Sequence, residues 1–199
     1  MAERVRTIGI LLFDGVEELD AVGPYEVLGS WTQSFPDDGW VVTTMAHGAG
    51  PVTGAKGLVL QPHLTVADAP VLEVLVYPGG KGTRPLLADA VHLEWIRGQR
   101  DSVPLLASVC TGSLVFAAAG LLGGRPATTH WASLDYLGEL DATIDVRRDE
   151  RFVDDGDIIT SSGVSAGIDM ALHLVARLES VERARSVRKM IQYDPEPPV

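Results

Sequence analysis

The single cysteine of this chain, Cys110, lies between two runs of different character. The apolar run over residues 103–109 predicts a buried strand, and the alanine-rich run over 111–121 predicts a helix. A side chain on such a tight strand-to-helix turn projects outward, as in a nucleophile elbow. The helix N-terminus would also favour a thiolate, which predicts a lowered pKa for Cys110. A free cysteine is often a small buried hydrophobe, but the following Thr111 and Gly112 favour a nucleophile.

An acidic segment follows the first predicted strand, residues 5–13. It contains Glu17, Glu18 and Asp20. Because the carboxyl ends of parallel strands meet at one edge of a sheet, we expect this segment to lie close to Cys110. One of these three acids is expected to lean toward the thiol and exchange a proton with it. A plainer interpretation remains open, in which Asp20 caps the next helix and the glutamates are solvated.

Two glycines, Gly79 and Gly80, follow the predicted strand at residues 71–77. No side chain covers their backbone N–H groups, and such pairs bind developing negative charge in many sites. Taken alone, the pair is equally typical of an ordinary turn. The run GGKG at residues 79–82 lacks the third glycine of a dinucleotide-binding fingerprint, which argues against a nucleotide cofactor.

The five histidines are not spaced as metal ligands, either with one another or with Cys110, so we expect no metal site. His130, in the TTHW run at residues 128–131, follows another predicted strand end. Histidine suits proton transfer near neutral pH, and His130 is therefore a candidate for the pocket wall. A structural role is the commoner fate of a lone histidine.

Strands and helices alternate along the whole chain, which predicts a three-layer α/β/α sandwich with a mainly parallel sheet. With 199 residues, we expect one domain over 1–199. The expected strands are 5–13, 40–46, 71–77, 103–109 and several short ones within 48–70 and 142–162, with a hairpin turn at 154–156. The expected helices are 25–33, with Pro24 in its first turn, 85–99, 111–121, 128–140, 164–178 and 181–191, followed by an extended proline-rich tail at 195–198.

The net charge of −11 excludes a typical nucleic-acid binder, because that function needs a basic face. The uncharged run 103–124 is broken by Pro104, Gly112 and Gly120, which favours a buried strand and helix over a membrane span. One cysteine and a start unlike a signal peptide predict a cytoplasmic protein without disulfides. The expected partner is a small-molecule substrate, with neither nucleic acid nor membrane.

Taken together and in order, these motifs resemble the ThiJ/PfpI superfamily of class I glutamine amidotransferase-like proteins. The matching runs are FDG at 13–15, ELD at 18–20, PGG at 78–80, SVCTG at 108–112, TTHW at 128–131, GVSAGID at 163–169 and QYDP at 192–195. The resemblance covers nearly the whole chain. It implies a flavodoxin-like three-layer fold with a cysteine on a nucleophile elbow, and a homodimer.

Within this superfamily the chain is most similar to isocyanide hydratases, which form N-substituted formamides without a cofactor. The resemblance implies that Cys110 is the nucleophile, that Asp20 is the general acid and base, and that the Thr111 hydroxyl orients substrate or water. The amides of Gly79 and Thr111 would steady developing charge. Protease-like members carry a histidine directly after the cysteine, and Thr111 at that place disfavours peptidase activity.

Two alternatives remain open at this point. One is another activity of the same scaffold, glyoxalase-like or amide-hydrolysing, in which His130 would take a larger part. The other is a protein without enzymatic activity, either an oxidation sensor or a ligand-binding domain like that of AraC-type regulators.

Overall fold

A computed structural model of the chain describes residues 5–196. The strands are β1 (Arg6–Leu11), β2 (Trp40–Ala46), β3 (Val52–Thr53), β4 (Val59–Leu60), β5 (Leu64–Thr65), β6 (Val74–Tyr77), β7 (Leu105–Val109), β8 (Pro126–Ala127), β9 (Asp145–Val146), β10 (Phe152–Asp154) and β11 (Ile158–Ser161). The helices are α1 (Glu18–Ser34), α2 (Thr83–Leu86), α3 (Ala90–Ser102), α4 (Gly112–Ala118), α5 (Leu134–Leu140), α6 (Ala166–Leu178) and α7 (Val181–Met190). Short 3₁₀ turns cover Pro36–Asp38 and Trp131–Ser133. Half of the tail expected at 195–198, residues 197 and 198, lies outside the described residues.

The main sheet has seven strands in the order β10-β11-β7-β6-β1-β2-β5. Every neighbouring pair is parallel except β10 with β11, which form an antiparallel hairpin at one edge. Helices α1, α6 and α7 cover one face, and α3, α4 and α5 cover the other. The expected three-layer sandwich with a mainly parallel sheet is confirmed.

Strand β6 shows why a central strand can be largely apolar along its whole length. Val74 and Val76 pack into the core beneath α1 and α6, whereas Leu75 and Tyr77 pack into the core beneath α3 and α4. Successive side chains of a strand point to opposite faces, and both faces of this sheet are covered. Burial also explains why the run over 103–124 carries no charge, because this run forms the buried strand β7 and the buried helix α4. Within residues 5–196 no helix is both long and apolar enough to cross a membrane.

Helix α1 begins at Glu18, so Glu18 and Asp20 of the acidic segment lie in its first turn, and the expected start of this helix near residue 25 was wrong. Pro24 lies inside the helix, where it removes one backbone hydrogen bond. The helix continues through it because its buried face packs against α6, with Ile168 beside Gly23. As a result, Asp20 occupies the first turn of α1 and is fully buried.

The end of β6 is held by a buried polar pair. The Tyr77 hydroxyl lies 2.7 Å from Nε2 of His92 on α3, and both side chains are at most 5% exposed. The pKa of His92 is lowered to about 4, mainly by burial and also by the neighbouring His47, while Asp89 acts the other way. Burial also raises the pKa of the Tyr77 hydroxyl. Both groups are therefore neutral near pH 7.

The depressed pKa of His92 predicts a loss of stability in acid. Between its ordinary pKa of 6.5 and about 4, the unfolded chain takes up a proton that the folded state rejects. Relative to His92→Gln, whose side chain cannot titrate, the wild type should lose about 2–3 kcal/mol of unfolding free energy from pH 7.5 to pH 4.5. Urea denaturation of both proteins at each pH measures this difference. A difference that does not change with pH would contradict the prediction.

Candidate active site

The site lies beyond the carboxyl ends of four adjacent strands, β11, β7, β6 and β1. Cys110 follows β7 and has a left-handed backbone with φ 57°. Its N–H donates to the carbonyl oxygens of Ser161 (3.1 Å) and Ser162 (3.2 Å), at the end of β11. Its own carbonyl accepts hydrogen bonds from the hydroxyls of Thr129 (2.8 Å) and Ser113 (3.2 Å). These contacts hold a non-glycine residue in a conformation that L-residues rarely adopt, which is the geometry of an elbow.

The carboxyl of Asp20 is completely buried beside Cys110. Its Oδ2 accepts a hydrogen bond of 3.1 Å from the N–H of Gly79. Within residues 5–196, Oδ1 makes no well-formed hydrogen bond. Burial raises the pKa of Asp20 to about 7, although the Cys110 thiol and the N–H groups of Gly79 and Val164 act in the opposite direction. Asp20 therefore changes protonation near neutral pH.

The residue Cys110 is only 5% exposed. The pKa of its thiol is raised to about 12, mainly by burial and also by the charge of Asp20. Hydrogen bonds from the N–H groups of Thr111 and Val164 offset only part of this. The expected lowering of the thiol pKa was wrong, because desolvation and the adjacent carboxylate outweigh the N-terminus of α4. The pair loses its first proton mainly from Asp20 and keeps the second on sulfur.

The N–H groups of both glycines are engaged inside the protein, which differs from the expectation that they face a substrate. Gly79 donates to Asp20, and Gly80 donates to Oγ1 of Thr111 at 2.9 Å. The chain approaches so closely here that a Cβ on Gly79 would lie 2.5 Å from the Thr111 backbone nitrogen. The glycine pair thus brings the strand ends of β6 and β7 and helix α1 together.

The Thr111 hydroxyl connects the same strand ends. In addition to accepting from the Gly80 N–H, Oγ1 lies 3.2 Å from the Gly80 carbonyl oxygen, to which it can donate. The Thr83 hydroxyl is 3.2 Å from Oγ1 and 2.8 Å from that carbonyl. Thr111 is 8% exposed and borders the cavity above Cys110.

A cavity of about 360 Å³ opens above Cys110. Besides Cys110 and Thr111, its lining includes Glu17, Lys81, Arg84, His130 and Val164. Nδ1 of His130 accepts from the Ala132 N–H at 3.3 Å, and Gly163 packs so closely that a Cβ there would touch the imidazole ring. The structure therefore brings Cys110, Asp20, Thr111, Gly79, Gly80 and His130 into one region.

Three residues of this region were missed by the sequence analysis. Val164, after β11, has φ 54°, which is unusual for a β-branched residue, and its N–H lies near both the thiol and Asp20. The adjacent Gly163 was the only hint, because a valine carries no sequence signal for a left-handed backbone. Lys81 and Arg84 resemble ordinary surface charges until the fold places them in the cavity.

A lysine in a surface loop pairs with the two glutamates of the acidic segment. Lys56, in the loop between β3 and β4, pairs with Glu17, and its Nζ lies 3.5 Å from Glu18. The Lys56 N–H also donates to Oε1 of Glu18 at 2.6 Å. Among residues 5–196, no group of three or more His, Cys, Asp or Glu side chains is arranged to hold a metal ion.

Comparison with known proteins agrees with the fold. The sequence is 46% identical over 191 residues to isonitrile hydratase of Pseudomonas putida, covering 96% of this chain and 80% of that protein. It is 28% identical to the transcriptional regulator GbdR of Pseudomonas aeruginosa, over 95% of this chain but about half (51%) of the regulator.

The fold is similar to that of a ThiJ/PfpI family protein from Pseudomonas syringae. The TM-score is 0.87 with 35% sequence identity, and the match covers 98% of this chain and 77% of that one. The sequence profile of the DJ-1/PfpI family matches residues 6–177, which include the strand ends, the elbow and the acid described above. The chain therefore belongs to the DJ-1/PfpI family.

Proposed function

We propose that this protein hydrates isocyanides to N-substituted formamides, with Cys110 as nucleophile and Asp20 as general acid and base. The observation that carries the proposal is the buried pair itself, in which a carboxyl with a pKa of about 7 contacts a protonated thiol. The similarity to isonitrile hydratase supports this reaction over others of the family. An isocyanide needs only a soft nucleophile, a proton and one water, and no cofactor.

In the first half of the reaction, the Cys110 sulfur forms a bond to the terminal carbon of the isocyanide. Asp20, as carboxylate, accepts the thiol proton and delivers it to the same carbon. The product is a thioimidate, in which sulfur is bonded to a CH=N–R group. The N–H groups of Thr111 and Val164 stabilise the thiolate that develops during transfer of the proton.

In the second half, water adds to the thioimidate carbon. One proton of the water passes through Asp20 to the nitrogen, which gives a tetrahedral S–CH(OH)–NH–R intermediate. The C–S bond then breaks, the hydroxyl proton returns to sulfur, and the formamide O=CH–NH–R leaves. The Thr111 hydroxyl and His130 border the cavity in which this water must lie, and we assign them to its orientation.

The pKa of Asp20 predicts the pH dependence of this reaction. The reactive form of the pair carries one proton, with Asp20 ionised and the thiol protonated. Below a pH of about 7 Asp20 gains a proton and cannot accept another, so kcat/KM should rise through this pH to a plateau. Rates between about pH 5.5 and 9, corrected for uncatalysed hydrolysis in acid, measure the profile. A profile that is flat over this range would contradict the assignment of Asp20.

The direct test is incubation with an alkyl isocyanide, with formamide followed by chromatography. We expect turnover in the wild type and a loss of at least about 10³-fold in Cys110→Ala. Because Cys110 has a left-handed backbone, unfolding of both proteins should be compared so that a folding defect is recognised. A wild-type rate no greater than that of folded Cys110→Ala would overturn the proposal.

The same variants separate the remaining alternatives. A glyoxalase-like or amide-hydrolysing activity would give turnover of dicarbonyls or amides, with a strong effect of His130→Ala. A ligand-binding domain, as in the regulator relatives, would bind small molecules without turnover. The homodimer implied by the resemblance stays a prediction, which light scattering of the purified protein tests.

A further inference from the structure

We propose that the cavity selects isocyanides that carry a carboxylate, which Lys81 and Arg84 bind at its mouth. This inference rests on the proposed hydratase function and adds the substrate class. Both cations line the cavity above Cys110, and both are exposed. The reacting pair lies buried at the bottom, so the two ends of the cavity differ in charge.

Neither Lys81 nor Arg84 forms an ion pair with a carboxylate of residues 5–196. Most other arginines in that range do, among them Arg125 with Asp157 and Arg151 with Asp169. In a chain with a net charge of −11, two cations without a carboxylate partner in one cavity are unusual. They are available to a ligand.

The carboxylate of Glu17, which also lines the cavity, does not cancel this charge. Glu17 pairs with Lys56, whose ammonium lies between it and Glu18. The wall around the mouth is therefore positive overall. An anionic substrate would be attracted there, whereas Asp20 at the bottom would repel an anionic group.

Arg84 is already oriented for such a ligand. Its Nη2 lies 3.4 Å from the Ser133 hydroxyl, and its guanidinium carbon lies 5.4 Å from the centre of the Tyr136 ring. A guanidinium fixed by a ring face and a hydroxyl can bind the two oxygens of a carboxylate together. A cavity of about 360 Å³ suits a small molecule with the isocyano group at one end and the carboxylate at the other.

The test compares ω-isocyanoalkanoates of two chain lengths with their methyl esters, which are neutral and larger by one methyl group. For at least one length, the wild type should show a kcat/KM for the acid about tenfold above that for the ester. The preference should appear mainly as a lower KM for the acid than for the ester, because the carboxylate is remote from the reacting carbon. It should also decline with added salt, since the two cations are exposed.

Arg84→Gln and Lys81→Gln should each reduce the acid-over-ester ratio. Arg185→Gln, on α7 outside the cavity, is the matched control, because it removes the same charge from the chain. An ester hydrated as well as its acid at both lengths, or a ratio that Arg185→Gln lowers equally, would overturn the carboxylate subsite while the hydratase stands. If neither acids nor esters are hydrated, the hydratase proposal itself fails, and the substrate class with it.

Discussion

Asp20→Asn is expected to lower the rate of isocyanide hydration by about 10³-fold and, at about pH 8, to make the protein more stable. The loss of rate follows because an amide cannot accept the thiol proton. The gain in stability follows because the folded protein must hold a buried carboxylate above its pKa of about 7, whereas the unfolded chain ionises near the ordinary value of 3.8. The carbonyl oxygen of asparagine can still accept the Gly79 hydrogen bond.

The sign of the stability effect depends on pH. Below about pH 4 Asp20 is protonated in both states, so the variant should match the wild type there. As the pH rises from about 4 to about 7, the unfolded wild type ionises at Asp20 while the folded protein does not, so the wild type loses stability. Above about pH 7 the variant should therefore be more stable than the wild type by roughly 2–4 kcal/mol. His92 acts in the opposite sense over the same pH range, so each effect must be measured as a difference from the wild type at one pH. A variant that is less stable near pH 8 would contradict the burial argument.

Gly80→Ala is expected to cause a large loss of stability for the addition of a single methyl group. Gly80 has φ 119°, a backbone conformation that a residue with a Cβ rarely adopts. A Cβ there would also lie 2.2 Å from the Glu17 nitrogen and 2.4 Å from the Gly15 carbonyl oxygen. Both contacts are backbone atoms that cannot rotate away. We expect a loss of about 3–5 kcal/mol, combining backbone strain with overpacking.

Two other glycines separate these causes. Gly57 has φ 97° but open space where a Cβ would lie, so Gly57→Ala should show the backbone strain alone, about 1 kcal/mol. Gly48 has neither a left-handed backbone nor a neighbour within 4 Å of a Cβ position, and Gly48→Ala should be nearly neutral. Thermal unfolding of the three variants gives the comparison. Equal losses of stability in Gly80→Ala and Gly57→Ala would show that the close approach of the backbone at Gly15 and Glu17 to Gly80 does not matter.

The sequence predicted the order of elements well because hydrophobic burial on both faces of the sheet leaves a strong pattern. The strand over 40–46 was predicted with its observed bounds, and the strand ending before Cys110 was correct at its carboxyl end. The start of α1 was wrong because a proline is far commoner in a first turn than inside a helix. Tertiary packing on α6 overrides that local preference.

The site was predicted less completely, for physical reasons. Residue types and strand ends were enough to bring Cys110, the acidic segment and the glycine pair together. The protonation of the thiol depends on how deeply it is buried and on the distance of one carboxylate, which a sequence does not contain. Val164, Lys81 and Arg84 contribute through backbone conformation or position alone, so their residue types gave no signal.

The assembly of the site from four strand ends has a consequence for refolding. Asp20, Gly79, Cys110 and Val164 come from segments far apart in the chain, and they meet only when β1, β6, β7 and β11 are paired in register. Pairing of distant parallel strands is intrinsically slow. In contrast, Trp31 and Trp40 lie in neighbouring elements with ring centroids 5.6 Å apart and can meet earlier. Recovery of catalysis after dilution from denaturant should therefore lag behind recovery of tryptophan fluorescence.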